Sequence, residues 1–279
     1  MKLLLLVLIY LMPAVSMAEE KSVLRYSYYD GKPVIDHQSY DLYLTENSST
    51  EAPLFAFVHG GYWVEDDRRY GFGRNIAKVL TDRGFAVALI RYRLAPNHKH
   101  PTQINDITRA FNRLLKQQDN KYYNSNCIIA AGHSAGGHLV SLMALNPVYL
   151  KAYQLDANQL AAVVSFSGVY DLNDASGEVS DRIKKLYKKV FSSQPEQLKS
   201  ASPLTHVRAD APPFLILSGS DDFPGFDFDA KAFHQALQKQ GHVAVNYQQM
   251  PERNHFQMVD FNMRNFELSR LIENFANCH

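Results

Sequence analysis

The sequence predicts an α/β fold: a mostly parallel sheet with helices on both faces and a small helical cap insertion. Three observations carry this. Short apolar runs such as 54–58 and 162–166 read as strands buried on both faces. Stretches with the period of an amphipathic helix alternate with them. Glycine-rich punctuation follows two of the runs, at His59-Gly60-Gly61 and at Gly132-His133-Ser134-Ala135-Gly136.

Composition narrows the classes. The 279 residues fit one or two domains, and 46% apolar with 20% charged residues is an ordinary globular balance. There are 29 Lys+Arg against 28 Asp+Glu, for a net charge of +1, so the basic excess of a dedicated nucleic-acid binder is missing and no nucleic-acid partner is expected. Two cysteines exclude a disulfide-dense scaffold and a four-cysteine zinc site.

Taken in order, residues 1–18 read as a signal peptide: Lys2 supplies the charged start, Leu3 to Met12 the apolar run, and Ser16-Met17-Ala18 the small residues of a cleavage site. Cleavage after Ala18 is expected, leaving 19–279 as one α/β domain, exported to the periplasm or secreted; an uncleaved membrane anchor is the alternative. No later run is apolar for the roughly 18 residues a span needs, so the mature form is expected to have no stable membrane span. Export makes a Cys127–Cys278 disulfide chemically possible, though spacing alone does not decide the pairing.

Residues 38–44 alternate Tyr40, Leu42 and Leu44 with polar neighbours, as a half-buried strand does. Buried strands are expected at 54–58, 86–90, 128–131, 162–166, 214–217 and 243–247. Helices are expected at 72–81, from Pro101 through Leu115, from the Ser134 turn to about Leu145, at 229–240 and at 258–276. The rhythm breaks at 172–208. There the basic stretch 182–189 puts Ile183, Leu186, Tyr187 and Val190 on one helical face, as a cap over a site or as a crossover helix with a solvated lysine face.

The chemistry begins at Gly132-His133-Ser134-Ala135-Gly136. A serine on a sharp strand-to-helix turn needs small neighbours two positions away, and both are glycine. The turn exposes the hydroxyl, and the following helix points its N-terminus at the site. The pattern alone is common; the apolar strand before it and the helix after it make it specific. Such a serine needs a base and an acid. Of the eleven histidines, His255 follows the last strand, where this arrangement places the base. His133 points the wrong way along the turn, His59 reads as support for the glycine loop, and His98 and His100 read as a solvated loop without a metal partner. For the acid, Asp221 and Asp222 compete after the 214–217 strand, and Asp222 stands three residues beyond Gly219, as the usual loop requires. Asp171 is a third candidate whose setting resembles a turn support. Backbone donors for an oxyanion are expected from Ala135, after the serine, and from Gly60 and Gly61. Trp63 either walls the pocket or packs.

On these residues the chain resembles the α/β-hydrolase superfamily and, within it, the esterase and arylformamidase (kynurenine formamidase-like) branch. The resemblance spans roughly residues 38–276. His59-Gly60-Gly61-Tyr62-Trp63 is similar to that branch's oxyanion motif, Arg91-Tyr92-Arg93-Leu94-Ala95-Pro96 to its following segment, and 132–139 to its serine elbow. Ser167-Gly168-Val169-Tyr170-Asp171-Leu172, Ser202-Pro203, Asp222-Phe223-Pro224 and Asn254-His255-Phe256 also recur in related sequences. The resemblance implies Ser134, Asp222 and His255 as a triad, with donors at Gly60, Gly61 and Ala135. Tyr62 departs from hormone-sensitive-lipase relatives, which carry a third glycine there. The expected activity is hydrolysis of small carboxylic esters without metal or organic cofactor. A formamide substrate is the alternative, and a serine peptidase or a non-catalytic binding module lies further off.

Overall fold

The computed structural model of the protein describes residues 23–29, 32–45, 49–66, 71–117, 120–261 and 266–275. The expected signal peptide and Cys278 lie outside the described residues; Cys127 is disulfide-bonded.

Eight strands form one sheet: β1 (Val23–Ser27), β2 (Ser39–Tyr43), β3 (Leu54–Val58), β4 (Ala86–Ile90), β5 (Ile128–His133), β6 (Ala162–Phe166), β7 (Phe214–Asp221) and β8 (Val245–Asn254). Their order is β1-β2-β4-β3-β5-β6-β7-β8. β1 and β2 pair antiparallel, β2 meets β4 antiparallel, and the pairings from β4 to β8 are parallel. The continuous apolar runs are explained by what covers them. In β3, Leu54, Ala56 and Val58 face one layer of core and Phe55 and Phe57 the other, and all five residues are buried. On the first face lie α2 (Thr102–Lys116), α3 (Ala135–Leu145) and α7 (Phe226–Lys239); on the second, α1 (Phe72–Thr81) and α8 (Phe266–Phe275). Every residue of α3 is buried, which is why it is apolar all round rather than amphipathic. Helix α1 buries Ile76, Ala77, Leu80 and Thr81, and each large apolar side chain so buried contributes about 1.5–3 kcal/mol. Asn146 caps a short α4 (Pro147–Lys151) by accepting from the Val148 N–H.

Several boundaries differ from the sequence reading. β1 was not expected: its burial is irregular and it borders the chain's N-terminal segment. β8 begins at Val245, because Val243 is 96% exposed, and runs on to Asn254. α7 begins earlier, at Phe226, where Gly225 takes a left-handed conformation. The final helix does not begin at Met258: Gln257–Val259 is a 3-10 turn, and α8 starts at Phe266. Between β6 and β7 the insertion holds α5 (Asp181–Val190), α6 (Pro195–Ser200) and a 3-10 turn over Pro203–His206.

Asp229 joins α7 to the segment after β6, where its Oδ2 accepts the N–H groups of Tyr170 (2.6 Å) and Asp171 (3.1 Å). Burial of this carboxyl pushes it up to about 8, against the pull of those two bonds. In the unfolded chain it ionises near 3.8, so the folded form binds the extra proton between these values. This carboxyl's own contribution to stability therefore falls as pH rises from about 4 toward 8 and levels off above. Asp229→Asn keeps an acceptor oxygen and removes the titration. It is expected to match the wild-type Tm near pH 4 and exceed it by several degrees at pH 8 in thermal melts. Equal differences at both pH values would show that the carboxyl is not the cause.

Candidate active site

β5 ends at His133 and α3 begins at Ala135, which leaves Ser134 at the corner with φ 53° and ψ −116°. This is the left-handed side of backbone space, sparsely populated by residues with a side chain. The corner is held by backbone bonds: Ser134 N–H donates to Phe166 O (2.9 Å) and His138 N–H to Ser134 O (3.0 Å). A Cβ on Gly136 would stand 2.0 Å from Val58 O, so only glycine lets the start of α3 pass this close to the end of β3. Ser134 is 4% exposed.

Asp222 and His255 meet because β7 and β8 are parallel neighbours. Asp221 lies opposite Asn254 in their register, so the next residue of each chain, Asp222 and His255, leaves the sheet side by side. His255 Nδ1–H donates to Asp222 Oδ1 at 2.7 Å, and the two side chains are 3% and 1% exposed. A neutral imidazole with its proton on Nδ1 presents a lone pair on Nε2. Asp222 Oδ1 also accepts the Phe223 N–H at 2.7 Å, and Oδ2 accepts the Ser167 hydroxyl. Burial would raise this carboxyl, but the bonds from His255, Ser167 and Phe223 hold it below the ordinary carboxylate range. Phe223 stacks on the imidazole at 4.4 Å, and Phe226 meets it edge-on at 5.1 Å. Of the other acids considered, Asp221 is exposed, and Asp171 accepts the N–H groups of Asn173 and Ala175 within its own turn.

His133 links the two halves. Its Nε2–H donates to the His255 carbonyl at 2.9 Å, and the two rings lie 4.7 Å apart. The bond ties the residue before Ser134 directly to His255. Burial first, and the neighbouring His255 second, push the His133 imidazole down to about 3, so it stays neutral, with its one proton on the Nε2 that makes this bond. The motif made His133 visible in the sequence, but its partner is 122 positions away.

Gly60 and Gly61 follow β3 beside the corner. A Cβ on Gly60 would stand 3.3 Å from Ser134 Cβ and 3.0 Å from His133 Nδ1. Gly61 has φ 99°, and its Cβ would stand 2.1 Å from Glu65 O, because its own carbonyl accepts Val64 N–H and Glu65 N–H in a tight turn. His59 supports the loop: Nδ1–H donates to Gly60 O at 2.7 Å and the ring stacks on Tyr92 at 4.4 Å. Trp63 is 1% exposed and meets His138, Tyr187 and Phe191 edge-on at 5.1, 5.8 and 4.9 Å. The insertion therefore packs against the glycine loop, and His138 Nε2–H fastens it to α3 by donating to Ala201 O at 2.8 Å. His98 is exposed, but His100 is not a solvated residue: it is half-buried against Phe191 and Tyr149, and burial pushes it down to about 4. Among the described residues no cluster of His, Cys, Asp and Glu could hold a metal ion, and no helix is long and apolar enough to cross a membrane.

Residues 40–237 match the BD-FAE family model. The chain belongs to the BD-FAE family. The BD-FAE match takes in Ser134 and Asp222 and stops before His255. The chain is 32% identical over 219 residues to "Esterase LipC" of Mycobacterium tuberculosis, covering 75% of this chain and 54% of that protein. It is 26% identical over 238 residues to "Kynurenine formamidase" of Drosophila melanogaster, covering 81% of this chain and 76% of that protein. The chain thus spans about half the length of the mycobacterial esterases it matches, 54% of LipC and 49% of LipM. Among solved structures, esterase B from Lactobacillus rhamnosis superposes with a TM-score of 0.73 at 20% identity, covering 91% of this chain and 86% of its own. Thermogutta terrifontis esterase 2 does so with 0.72 at 20% identity, covering 92% of each. The BD-FAE chain has the α/β-hydrolase fold.

Proposed function

We propose that the protein is a serine hydrolase of small carboxylic esters, with Ser134 as nucleophile, His255 as base and Asp222 as the acid that orients it. The observation that carries this reading is the buried 2.7 Å bond from His255 Nδ1 to Asp222 Oδ1, joined through His133 to the Ser134 corner. In the proposed reaction His255 Nε2 takes the Ser134 proton as Oγ attacks the ester carbonyl. Backbone N–H groups of Gly60, Gly61 and Ala135 hold the oxyanion. His255 then gives its proton to the leaving alcohol, and water cleaves the acyl-enzyme by the same steps. No step calls on a metal or an organic cofactor. The relatives named esterases support the ester reading. A formamide substrate is the second reading, favoured by the fuller coverage of the Drosophila formamidase, 76% of its length. We also propose, from Lys2, the apolar 3–12 run and Ser16-Met17-Ala18, that the protein is exported.

The test is kcat/KM on p-nitrophenyl acetate and butyrate against N-formylkynurenine. The ester reading expects the acetate or butyrate to be turned over at least about tenfold more efficiently. A preference of that size for the formamide would replace it with the second reading. Turnover of neither would remove both.

A further inference from the structure

We propose that Ser167 is a positioning residue of this site, acting on the base through Asp222. The proposal rests on the triad reading above. Ser167 follows β6 directly and is 1% exposed. Its N–H donates to Leu217 O at 2.7 Å, which lashes it to β7, the strand that delivers Asp222. Its φ is 47°, a left-handed conformation that a serine adopts only where its surroundings impose it. In that conformation its hydroxyl donates to Asp222 Oδ2. The other carboxylate oxygen carries the bonds from His255 and Phe223, so the two sides of Asp222 are held by different partners. Without the Ser167 hydroxyl, Oδ2 keeps only the long 3.4 Å approach of Gly219 N–H. A buried carboxylate that loses the donor on one oxygen is fixed about its Cβ–Cγ bond only through the other, and the imidazole it aims is held less firmly. Ser167 thus does for Asp222 what Asp222 does for His255.

The experiment compares Ser167→Ala and Ser167→Gly in the full chain with a p-nitrophenyl ester. Both remove the hydroxyl, and glycine also relieves the left-handed backbone, so the pair separates the two features. Each variant is expected to lower kcat about tenfold with KM within about twofold, while remaining folded by circular dichroism. In an Asp222→Ala background the same substitutions are expected to change kcat less than about twofold, because the partner they act through is gone. Wild-type kcat in both variants would overturn the proposal. So would a loss confined to alanine, which would mark backbone strain, or an undiminished tenfold loss in the Asp222→Ala background, which would mark a structural role. If the wild-type protein neither turns over esters nor labels with a fluorophosphonate, the triad reading itself has failed. An active wild type with unaffected variants removes only the role given to Ser167.

Discussion

Ser134→Ala is expected to lower kcat/KM on p-nitrophenyl esters by roughly 10⁴- to 10⁶-fold while leaving the fold intact. The corner that presents Ser134 is held by Ser134 N–H on Phe166 O and by His138 N–H on Ser134 O. Neither bond uses the hydroxyl. Alanine keeps the Cβ, so the backbone at φ 53° is no more strained than before. What disappears is the atom that forms the acyl bond in the proposed reaction, and with it the covalent route. A small residual rate should survive, because the glycine loop would still stabilise an oxyanion formed by direct water attack. Two measurements check this. Ester turnover should drop to near the background rate, and intact mass after fluorophosphonate treatment should show the adduct on the wild type and none on the variant. A Tm within a few degrees of wild type would confirm that the loss is chemical. An alanine variant with full turnover would mean that another residue carries the reaction.

How far the sequence reaches depends on how local each signal is. β3, β4 and β6 begin and end at the residues expected, because burial on both faces demands a continuous apolar run and the surrounding turns break it, and α1 does so because its single buried face repeats with the helical period. The corner at Ser134 was legible for the same reason: its steric requirement falls on Gly132 and Gly136, two positions either side. Where exposure replaces burial the pattern fades. Val243 looks like the start of a strand by composition, yet it is 96% exposed and pairing begins at Val245. Met258 opens an apolar, helical pattern, but Met258 and Val259 are buried in a 3-10 turn beside His255 before α8 begins. The approach of Ser167 to Asp222 joins residues 55 positions apart, and that of His133 to His255 spans 122. No periodicity encodes such pairs; they follow only from the order of β5, β6, β7 and β8 across the sheet. The serine of Ser167-Gly168 was visible, but its partner was not.

The surroundings of Asp222 yield the second prediction. Asp222→Ala is expected to cost about 10⁴-fold in kcat/KM, since it leaves the imidazole with neither orientation nor a counter-charge. Asp222→Asn would ordinarily be expected to cost as much: an amide NH2 facing His255 Nδ1 forces that nitrogen to accept, moves the proton to Nε2 and disables the base. Here the surroundings choose the other orientation. Oδ1 receives two N–H donors, from His255 and from the backbone of Phe223, each at 2.7 Å. The Phe223 amide can only donate, so an NH2 placed there would face a donor it cannot satisfy. The Oδ2 side meets the Ser167 hydroxyl, which can turn and accept, and only the long 3.4 Å approach of the Gly219 N–H. The asparagine is therefore expected to seat its carbonyl at the Oδ1 position and its NH2 toward Ser167. The imidazole then keeps its proton on Nδ1 and its lone pair on Nε2, and only the charge of the carboxylate is lost. On that argument Asp222→Asn should retain at least about tenfold more kcat/KM than Asp222→Ala when both are assayed near pH 8. Equal losses in the two variants would mean that the amide turns its NH2 to His255, and that the Phe223 N–H does not govern how the acid is seated.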